Sequence, residues 1–227
     1  MDCRYEEFEK RIGYTFQNKE LMLQALTHSS FANEQRMNCL GDYERLEFLG
    51  DAVLELISSE FIYTKNPGMP EGQMTRLRST YVCEPALAYC AKDFNLDSYI
   101  RLGKGEENTG GRGRDSIISD VCEAIIGSIY LDGGFAPAKD FIHRFILSDL
   151  ENKTLFYDAK TIFQEKIQKE KHTMVQYVLI EEKGPEHEKI FTVEATVDGK
   201  RMSVGSGKSK KAAEQQAAYQ ALLALGK

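Results

Sequence analysis

The chain has 227 residues, which suits one large or two modest domains, and its 42% hydrophobic content is enough for an ordinary globular core. No apolar run reaches the length of a membrane span, and the acidic residues 1–7 do not resemble a signal peptide, so we expect a cytoplasmic protein without a transmembrane helix. Five cysteines without a C-x-x-C pair favour free thiols in a reducing compartment and argue against a disulfide framework or a zinc site.

The charge is unevenly distributed along the chain. A net charge of −6 would by itself argue against a nucleic-acid-binding protein. However, residues 1–157 carry 17 Lys and Arg against 25 Asp and Glu, whereas residues 158–227 carry 12 against 10. The sequence therefore predicts an acidic module joined to a mildly basic one.

Helical patterns dominate residues 1–150. Leucines open a pattern at 21–26, and apolar residues between Leu46 and Phe61 recur at three- and four-residue spacing, which predicts an amphipathic helix. The Pro- and Gly-containing run 66–70 ends it. No alternating strand pattern of useful length occurs here. The other predicted helices are at 74–82, 85–94, 116–131 and 137–147.

The Gly-rich segment 101–114 is predicted to be a flexible loop. Its basic residues Lys104, Arg112 and Arg114 could follow a phosphate backbone. The segment could equally be a plain surface connection.

The pattern changes after a polar linker predicted at 148–158. Asp198-Gly199 is a tight hairpin signal between two short β-rich runs. The predicted order is α-β-β-β-α, with a helix at 161–168, strands at 175–180, 189–197 and 201–205, and an alanine-rich helix at 209–225.

Two acidic pairs predict a metal site. Glu47 and Asp51 are four residues apart on one predicted helix, Asp120 and Glu123 are three apart on another, and each pair shares a helix face. Clustered carboxylates near a core need protons or a cation, and Mg²⁺ prefers oxygen ligands. A solvated acidic face would explain either pair alone. The scarcity of basic neighbours and the flanking core residues favour a site in which all four converge, with Glu44 on the same face as Glu47.

Two other motifs have simpler interpretations. His28 beside Ser29 and Ser30 suggests a Ser/His nucleophile, but a structural histidine or a helix-end hydrogen bond is the better expectation, because triads are built in space and not by adjacency. His143 has no partner pattern and is expected to be structural or exposed. The sequence contains no H-E-x-x-H motif, so a zinc-dependent hydrolase is not supported.

The run Gly205–Ser209 resembles part of a phosphate-binding loop. The full pattern needs Gly at position 202, which is Met, so an ATPase is excluded. Lysines at the start of the following helix could bind phosphate, where free N–H groups attract anions, or could simply be a solubilising charge run. Together with the glycines, this position favours phosphate binding by Lys208, Lys210 and Lys211.

These residues carry a resemblance to a known family. The segment 43–53, YERLEFLGDAV, looks like the signature of bacterial ribonuclease III, and so do ALTHSS at 25–30 and DVCEA at 120–124 with Gly127. The segment 158–227 resembles a double-stranded RNA-binding domain. Its matching parts are DAKT at 158–161, Gln164-Glu165, GPEH at 184–187 and GSGKSKKAAE at 205–214.

The resemblance implies an all-α, homodimeric endonuclease domain at 1–150, followed by an α+β RNA-binding domain at 158–227. Glu47, Asp51, Asp120 and Glu123 would bind Mg²⁺ (Mn²⁺ is possible), with Asp51 and Glu123 catalytic and Glu44 and Glu71 accessory; no small-molecule cofactor is implied. The family cleaves double-stranded RNA to 5′-phosphate and 3′-hydroxyl ends with short 3′ overhangs, in ribosomal precursor and other RNA processing. Tyr43, where some members have Asn, and Gln73, where many have an acidic residue, are departures from the family pattern. Neither is expected to touch the four carboxylates, so at most substrate choice would be affected.

The RNA contacts expected from this resemblance fit recognition by shape, because duplex RNA presents a shallow minor groove and regularly spaced phosphates. The expected contact residues are Gln164, Glu165, His187, Lys208, Lys210 and Lys211.

Two other classes stay open at this point. A non-catalytic protein could hold duplex RNA and keep the helical domain for dimerisation, although the intact carboxylate quartet argues against it. A metal-dependent hydrolase of nucleotides would explain the carboxylates but not the α-β-β-β-α pattern. Comparing RNA cleavage in Mg²⁺ with that in EDTA tests the non-catalytic alternative. Competition of duplex RNA with nucleotide substrates tests the hydrolase alternative.

Overall fold

The computed structural model describes residues 3–35, 41–148, 150, 159–171, 174–184, 189–207 and 209–225. The chain divides into two units, Met1–Ser148 and Asp149–Lys227. Within the described ranges, no helix combines the length and the apolar character that a membrane crossing needs.

The first unit is helical, as predicted. Its helices are α1 (Cys3–Ile12), α2 (Lys19–Ala25), α3 (Ser29–Glu34), α4 (Glu44–Lys65), α5 (Glu71–Tyr81), α6 (Glu84–Cys90), α7 (Lys104–Asn108), α8 (Asp115–Gly133) and α9 (Phe135–Phe145). The helix predicted over 85–94 instead ends at Cys90 and continues as a short 3₁₀ turn, Ala91–Phe94. The sequence patterns did not predict α1 and α3: α1 buries only two apolar residues, Phe8 and Ile12, and the six-residue α3 buries none.

Helix α8 lies at the centre of this unit. Eleven of its residues, from Ile117 to Ile129, are buried, which is expected of a helix that is apolar on nearly every side. Helix α4 packs against it through two glycines. A Cβ atom built on Gly50 would lie 1.8 Å from the carbonyl oxygen of Glu123, and one on Gly127 would lie 2.2 Å from that of Leu46. Only glycine allows the two backbones to approach this closely.

The segment 101–114 is structured, so the prediction of a flexible loop is wrong. It contains α7 and a 3₁₀ turn, Gly111–Gly113. Arg112 pairs with Glu107 and donates to the carbonyls of Asp97 (2.6 Å) and Ile100 (3.0 Å). Arg114 pairs with Glu106 at 2.8 Å. These two arginines stabilise the segment through ion pairs and hydrogen bonds, so their charges are already paired and do not indicate a phosphate-binding site.

The second unit has the predicted α-β-β-β-α order. Its elements are α10 (Ala159–Lys171), β1 (Val175–Lys183), β2 (Ile190–Val197), β3 (Lys200–Gly207) and α11 (Lys210–Leu225). The antiparallel sheet has the order β1-β2-β3 and pairs Tyr177 with Ala195 and Val193 with Gly205. Asp198 (φ 50°) and Gly199 (φ 75°) form the predicted tight turn between β2 and β3.

The core of the second unit explains the glycines before α11. Helices α10 and α11 bury Phe163 and a set of alanines against the sheet. A Cβ atom on Gly205 would lie 2.1 Å from the nitrogen of Ala217, and one on Gly207 would lie 2.8 Å from the Cβ of Ala212. Both glycines lie in or at the end of β3, where they let the strand contact α11. Close packing, and not a phosphate-binding loop, therefore accounts for them.

Candidate active site

The four predicted carboxylates lie where α4 crosses α8. Glu47 lies three residues before Gly50 and Asp51 directly follows it, and a Cβ atom built on Gly50 would touch the carbonyl oxygen of Glu123. Asp120 lies one turn before Glu123 on α8. The crossing thus brings one carboxylate pair from each helix to the same place.

The pKa values of Glu123 and Glu47 are raised by burial and by the charges of the neighbouring carboxylates. Burial contributes most to raising the pKa of Glu123 to about 8, followed by the charges of Asp51, Glu47 and Asp120 in that order. Burial also raises the pKa of Glu47, with additional contributions from Asp120 and Glu44. All four carboxylates are therefore electrostatically coupled, and protons or cations are needed to relieve their repulsion.

Burial also raises the pKa of Asp120, but here three neighbours oppose the shift. The hydroxyl groups of Tyr43 and Ser119 and the charge of His28 all favour the ionised carboxylate. Tyr43 is the nearer donor, since its hydroxyl lies 3.3 Å from Asp120 Oδ2 and Ser119 Oγ lies 3.5 Å from Oδ1.

The donor set fits a hard divalent cation. It consists of carboxylate oxygens alone, and no ion pair joins any of the four to Lys or Arg within the part of the chain described. Among these same residues, no three His, Cys, Asp or Glu side chains are already grouped as metal ligands. Asp51 is exposed, whereas Glu47, Asp120 and Glu123 are partly buried. A bound cation would compensate the negative charges of these side chains and allow them to move closer together.

The accessory acidic residues occupy different places. Glu44 is exposed at the start of α4 and acts on the pKa of Glu47. Glu71 begins α5, accepts a hydrogen bond from Thr75 (2.8 Å), and lines a groove of ≈ 290 Å³ between α4 and α5. Glu71 is not among the charges that shift the pKa values of the quartet.

The two histidines behave as the sequence suggested. His28 caps α3, where its Nδ1 accepts from the N–H of Ser30 (3.1 Å), so the predicted helix-end hydrogen bond is confirmed. His143 is partly buried and packs edge-on against Phe61, with ring centroids 5.5 Å apart. The expectation that Tyr43 does not touch the carboxylates is wrong, because its hydroxyl donates to Asp120. The sequence could not reveal this contact, since the two residues are 77 positions apart.

Four of the six predicted RNA contacts lie on the helices of the second unit. Gln164 and Glu165 are exposed on α10, and Lys210 and Lys211 are exposed in the first turn of α11. The main-chain N–H of Lys160 donates to Gln215 Oε1 (2.9 Å), and the Lys160 side chain pairs with Glu214, so the two helices are fixed to each other. His187 and Lys208 lie outside the described residues.

Comparisons with known proteins match both units. A family model described as ribonuclease-III-like matches residues 18–150, and a double-stranded RNA binding motif matches residues 159–225. A ribonuclease 3 from Oceanobacillus iheyensis is 46% identical over 224 residues, which are 98% of this chain and 97% of the relative. A ribonuclease 3 from Listeria innocua is 43% identical over 96% of each chain.

A solved structure agrees with these relatives. The nuclease domain of ribonuclease III from Campylobacter jejuni superposes with a TM-score of 0.60 at 40% identity, covering 64% of this chain and 98% of that one. A non-catalytic protein and a nucleotide hydrolase are therefore both excluded. The chain belongs to the bacterial ribonuclease III family and is an endoribonuclease for double-stranded RNA that binds its substrate through a C-terminal RNA-binding domain.

Proposed function

We propose that the enzyme uses Mg²⁺, or Mn²⁺ in its place, at the α4–α8 crossing to cut each strand of duplex RNA to a 5′-phosphate and a 3′-hydroxyl. The observation that carries this proposal is the convergence of four coupled carboxylates without a cationic side chain among the described residues to neutralise them. Bound divalent ions would activate water and stabilise the leaving oxygen of the phosphodiester.

The roles of the residues follow from their positions. Glu47 and Asp51 supply oxygen atoms from α4, and Asp120 and Glu123 supply them from α8. Burial and the charges of the other three carboxylates raise the pKa of Glu123 to about 8. It must therefore lose a proton before it can bind a cation near neutral pH. Among the charges that raise the pKa of Glu123, that of Asp51 contributes most, which suits these two carboxylates to hold the ions that take part in the reaction.

Replacing Glu123 by Gln tests the site. We expect Glu123→Gln to lower cleavage on the order of 10²–10³-fold, because one oxygen ligand loses its charge, while duplex RNA binding is unchanged. Cleavage of a labelled duplex with end-group analysis, at low millimolar Mg²⁺ and in EDTA, measures both the rate and the products.

A matched control is Glu60→Gln, also on α4, where Glu60 pairs with Lys139 at 2.6 Å. This variant is expected to cleave like the wild type. Normal cleavage by Glu123→Gln would contradict the assigned role of Glu123, and cleavage in EDTA would contradict the metal requirement.

We infer that the enzyme acts as a homodimer. A stripe of exposed residues at four-residue spacing on α4, which we call the α4 stripe, consists of Phe48, Ala52 and Leu56 and extends to Tyr63. Phe48 is 82% exposed, Leu56 59% and Tyr63 74%, and an apolar stripe of this kind marks an interaction surface. The groove between α4 and α5 adjoins Tyr63 and offers a receiving surface.

A second copy fits this surface because a two-fold interface pairs the same patch of both subunits. The Campylobacter jejuni nuclease domain is described as having a region involved in dimer formation. Since the α4 stripe runs beside Glu47 and Asp51, a dimer would carry two carboxylate sites next to one interface. Each site would cut one strand, and offset cuts would leave the short 3′ overhangs.

The cellular role we propose is processing of ribosomal RNA precursors and of other transcripts, including messenger and transfer RNA. This proposal is supported by membership of the ribonuclease 3 family alone. Accumulation of unprocessed ribosomal precursor in cells that lack the enzyme would test it, and normal precursor levels would contradict it.

A further inference from the structure

Tyr43 connects the start of α4 to a carboxylate on α8. Its main-chain N–H donates to the carbonyl of Thr27 (2.9 Å), and its own carbonyl accepts from the N–H of Glu47 (2.9 Å), so its backbone is fixed at both ends. The side chain is only 5% exposed. Its hydroxyl donates to Oδ2 of Asp120 at 3.3 Å.

The surroundings of the Tyr43 ring hold it in place. The ring packs against His28, with centroids 5.7 Å apart and planes tilted by 55°. His28 is itself held by its cap on α3. The adjoining Thr27 hydroxyl accepts from Arg101 at 3.1 Å, and the N–H of Arg101 donates to Leu26 at 2.7 Å. These contacts hold the buried ring beside Asp120.

We propose that Tyr43 is a positioning residue, whose hydroxyl orients Asp120 so that its Oδ1 atom stays available to a divalent cation. The inference rests on the proposed function, because it takes Asp120 as a metal ligand. A carboxylate that binds a metal is commonly oriented by a hydrogen bond from a neighbouring group, and removal of such a group costs about 10–100-fold in metal affinity or activity.

A neutral hydroxyl suits this role better than a charged donor. A lysine or arginine at the same place would also orient Asp120, but its positive charge would neutralise the carboxylate and repel the incoming cation. The hydroxyl of Tyr43 fixes the geometry and leaves the negative charge available. Ser119 is a weaker candidate, since its Oγ lies 3.5 Å from Oδ1, at the limit of a hydrogen bond.

The test is Tyr43→Phe, which keeps the buried ring and removes only the hydroxyl. In the full-length protein without RNA, Mn²⁺ binding measured by electron paramagnetic resonance is expected to weaken about tenfold. The Mg²⁺ concentration that gives half-maximal cleavage should rise by a similar factor, while cleavage at saturating Mg²⁺ stays within about threefold of wild type.

The matched control is Tyr14→Phe. Tyr14 also donates its hydroxyl to an aspartate of α8, Asp132, at 2.7 Å, but at the other end of the helix. Its loss is expected to lower the melting temperature without changing Mn²⁺ affinity. An equal loss of Mn²⁺ affinity in Tyr14→Phe would overturn the inference, because it would show a general effect of destabilisation.

Asp120→Asn separates this inference from the function on which it rests. We expect Asp120→Asn to weaken Mn²⁺ binding. Adding Tyr43→Phe to Asp120→Asn should weaken Mn²⁺ binding by less than about a further twofold, because the two changes remove the same interaction. If Asp120→Asn weakens binding and Tyr43→Phe does not, the role of Tyr43 is wrong and the metal site stands. If Asp120→Asn binds Mn²⁺ normally, Asp120 is not a ligand and both ideas fail.

Discussion

Glu123 shows at the level of one residue why the site needs a cation. Its carboxyl is partly buried and interacts with the charges of three other carboxylates, so its pKa rises from the ordinary 4.5 to about 8. Near neutral pH, much of it is therefore protonated in the absence of metal. Because metal ligation requires the ionised form, cation binding should release a proton and become stronger as the pH rises towards 8.

The same shift predicts how the stability of the metal-free protein depends on pH. A folded-state pKa above the unfolded value stabilises the folded protein fully below about 4.5, and this contribution is lost as the pH rises through about 8. In EDTA, the melting temperature of the wild type should therefore fall between pH 5 and 8. Differential scanning calorimetry across this range measures the fall.

The control for this dependence is the Glu123→Gln variant, which has no proton to lose at this position. Its melting temperature should fall less steeply than that of the wild type, with a remainder from Glu47 and Asp120, whose pKa values are also raised. Added Mg²⁺ should flatten the wild-type curve, because a bound cation favours the ionised carboxylates. Parallel curves for the two proteins in EDTA would contradict the raised pKa of Glu123.

The α4–α8 crossing determines the site at the level of elements. Gly50→Ala would place a methyl group 1.8 Å from the carbonyl oxygen of Glu123, where only a shift of one helix can make room. We expect a loss of about 1–3 kcal/mol in the free energy of unfolding, as for overpacked cores, together with a large loss of cleavage because the carboxylate pairs move apart. Urea unfolding and duplex cleavage measure the two effects.

Gly105→Ala is the matched control, because it also adds a methyl group to a helical glycine, but with nothing within 4 Å. It should stabilise the protein by about 0.5–1 kcal/mol and leave cleavage unchanged, since alanine is the better helix former. Wild-type stability and activity in Gly50→Ala would mean that the two helices do not need this close approach.

Local patterns explain what the sequence could and could not predict. The spacing of Glu47 and Asp51 is set within one helix, so their shared face could be predicted without knowing the fold. The contact of Tyr43 with Asp120 depends on how α4 packs against α8, and no local pattern encodes it. The glycines of segment 101–114 predict a loop, whereas its order comes from ion pairs such as that of Arg114 with Glu106, which no local pattern encodes.

At the scale of the whole molecule, an acidic catalytic unit must act on a polyanion. We propose that the basic second unit supplies most of the RNA affinity and that metal ions make the catalytic unit compatible with RNA. Removing residues 158–227 should then weaken binding and flatten its dependence on salt, because phosphate contacts are lost, while some cleavage survives at low salt. A nuclease domain has been solved by itself for the Campylobacter jejuni relative, which supports the folding of such a fragment.

A smaller change in the full chain sharpens this test. Replacing both Lys210 and Lys211 by Ala should lower the slope of log affinity against log salt by about 2, one for each lost phosphate contact. Fluorescence anisotropy with a labelled duplex over a range of salt concentrations measures the slope. An unchanged affinity after deletion of residues 158–227 would refute the division of labour between the units.

The α4 stripe leads to the prediction for assembly. Phe48→Glu places a charge where a partner subunit would cover an aromatic side chain that is 82% exposed in the single chain. Loss of a central aromatic contact commonly costs at least about 2 kcal/mol, which corresponds to about 30-fold weaker dimerisation. Sedimentation velocity over a concentration series should therefore show a dimer for the wild type and a monomer for Phe48→Glu.

A control for Phe48→Glu is Leu223→Glu, which also replaces an exposed apolar residue (42% exposed), but in the second unit. It should sediment like the wild type. Phe48→Glu should also lose paired cuts on duplex RNA, because one subunit carries a single carboxylate site and cannot present a second to the opposite strand. A monomeric wild type, or a Phe48→Glu variant that stays dimeric at the same concentrations, would show that the α4 stripe does not form the subunit interface.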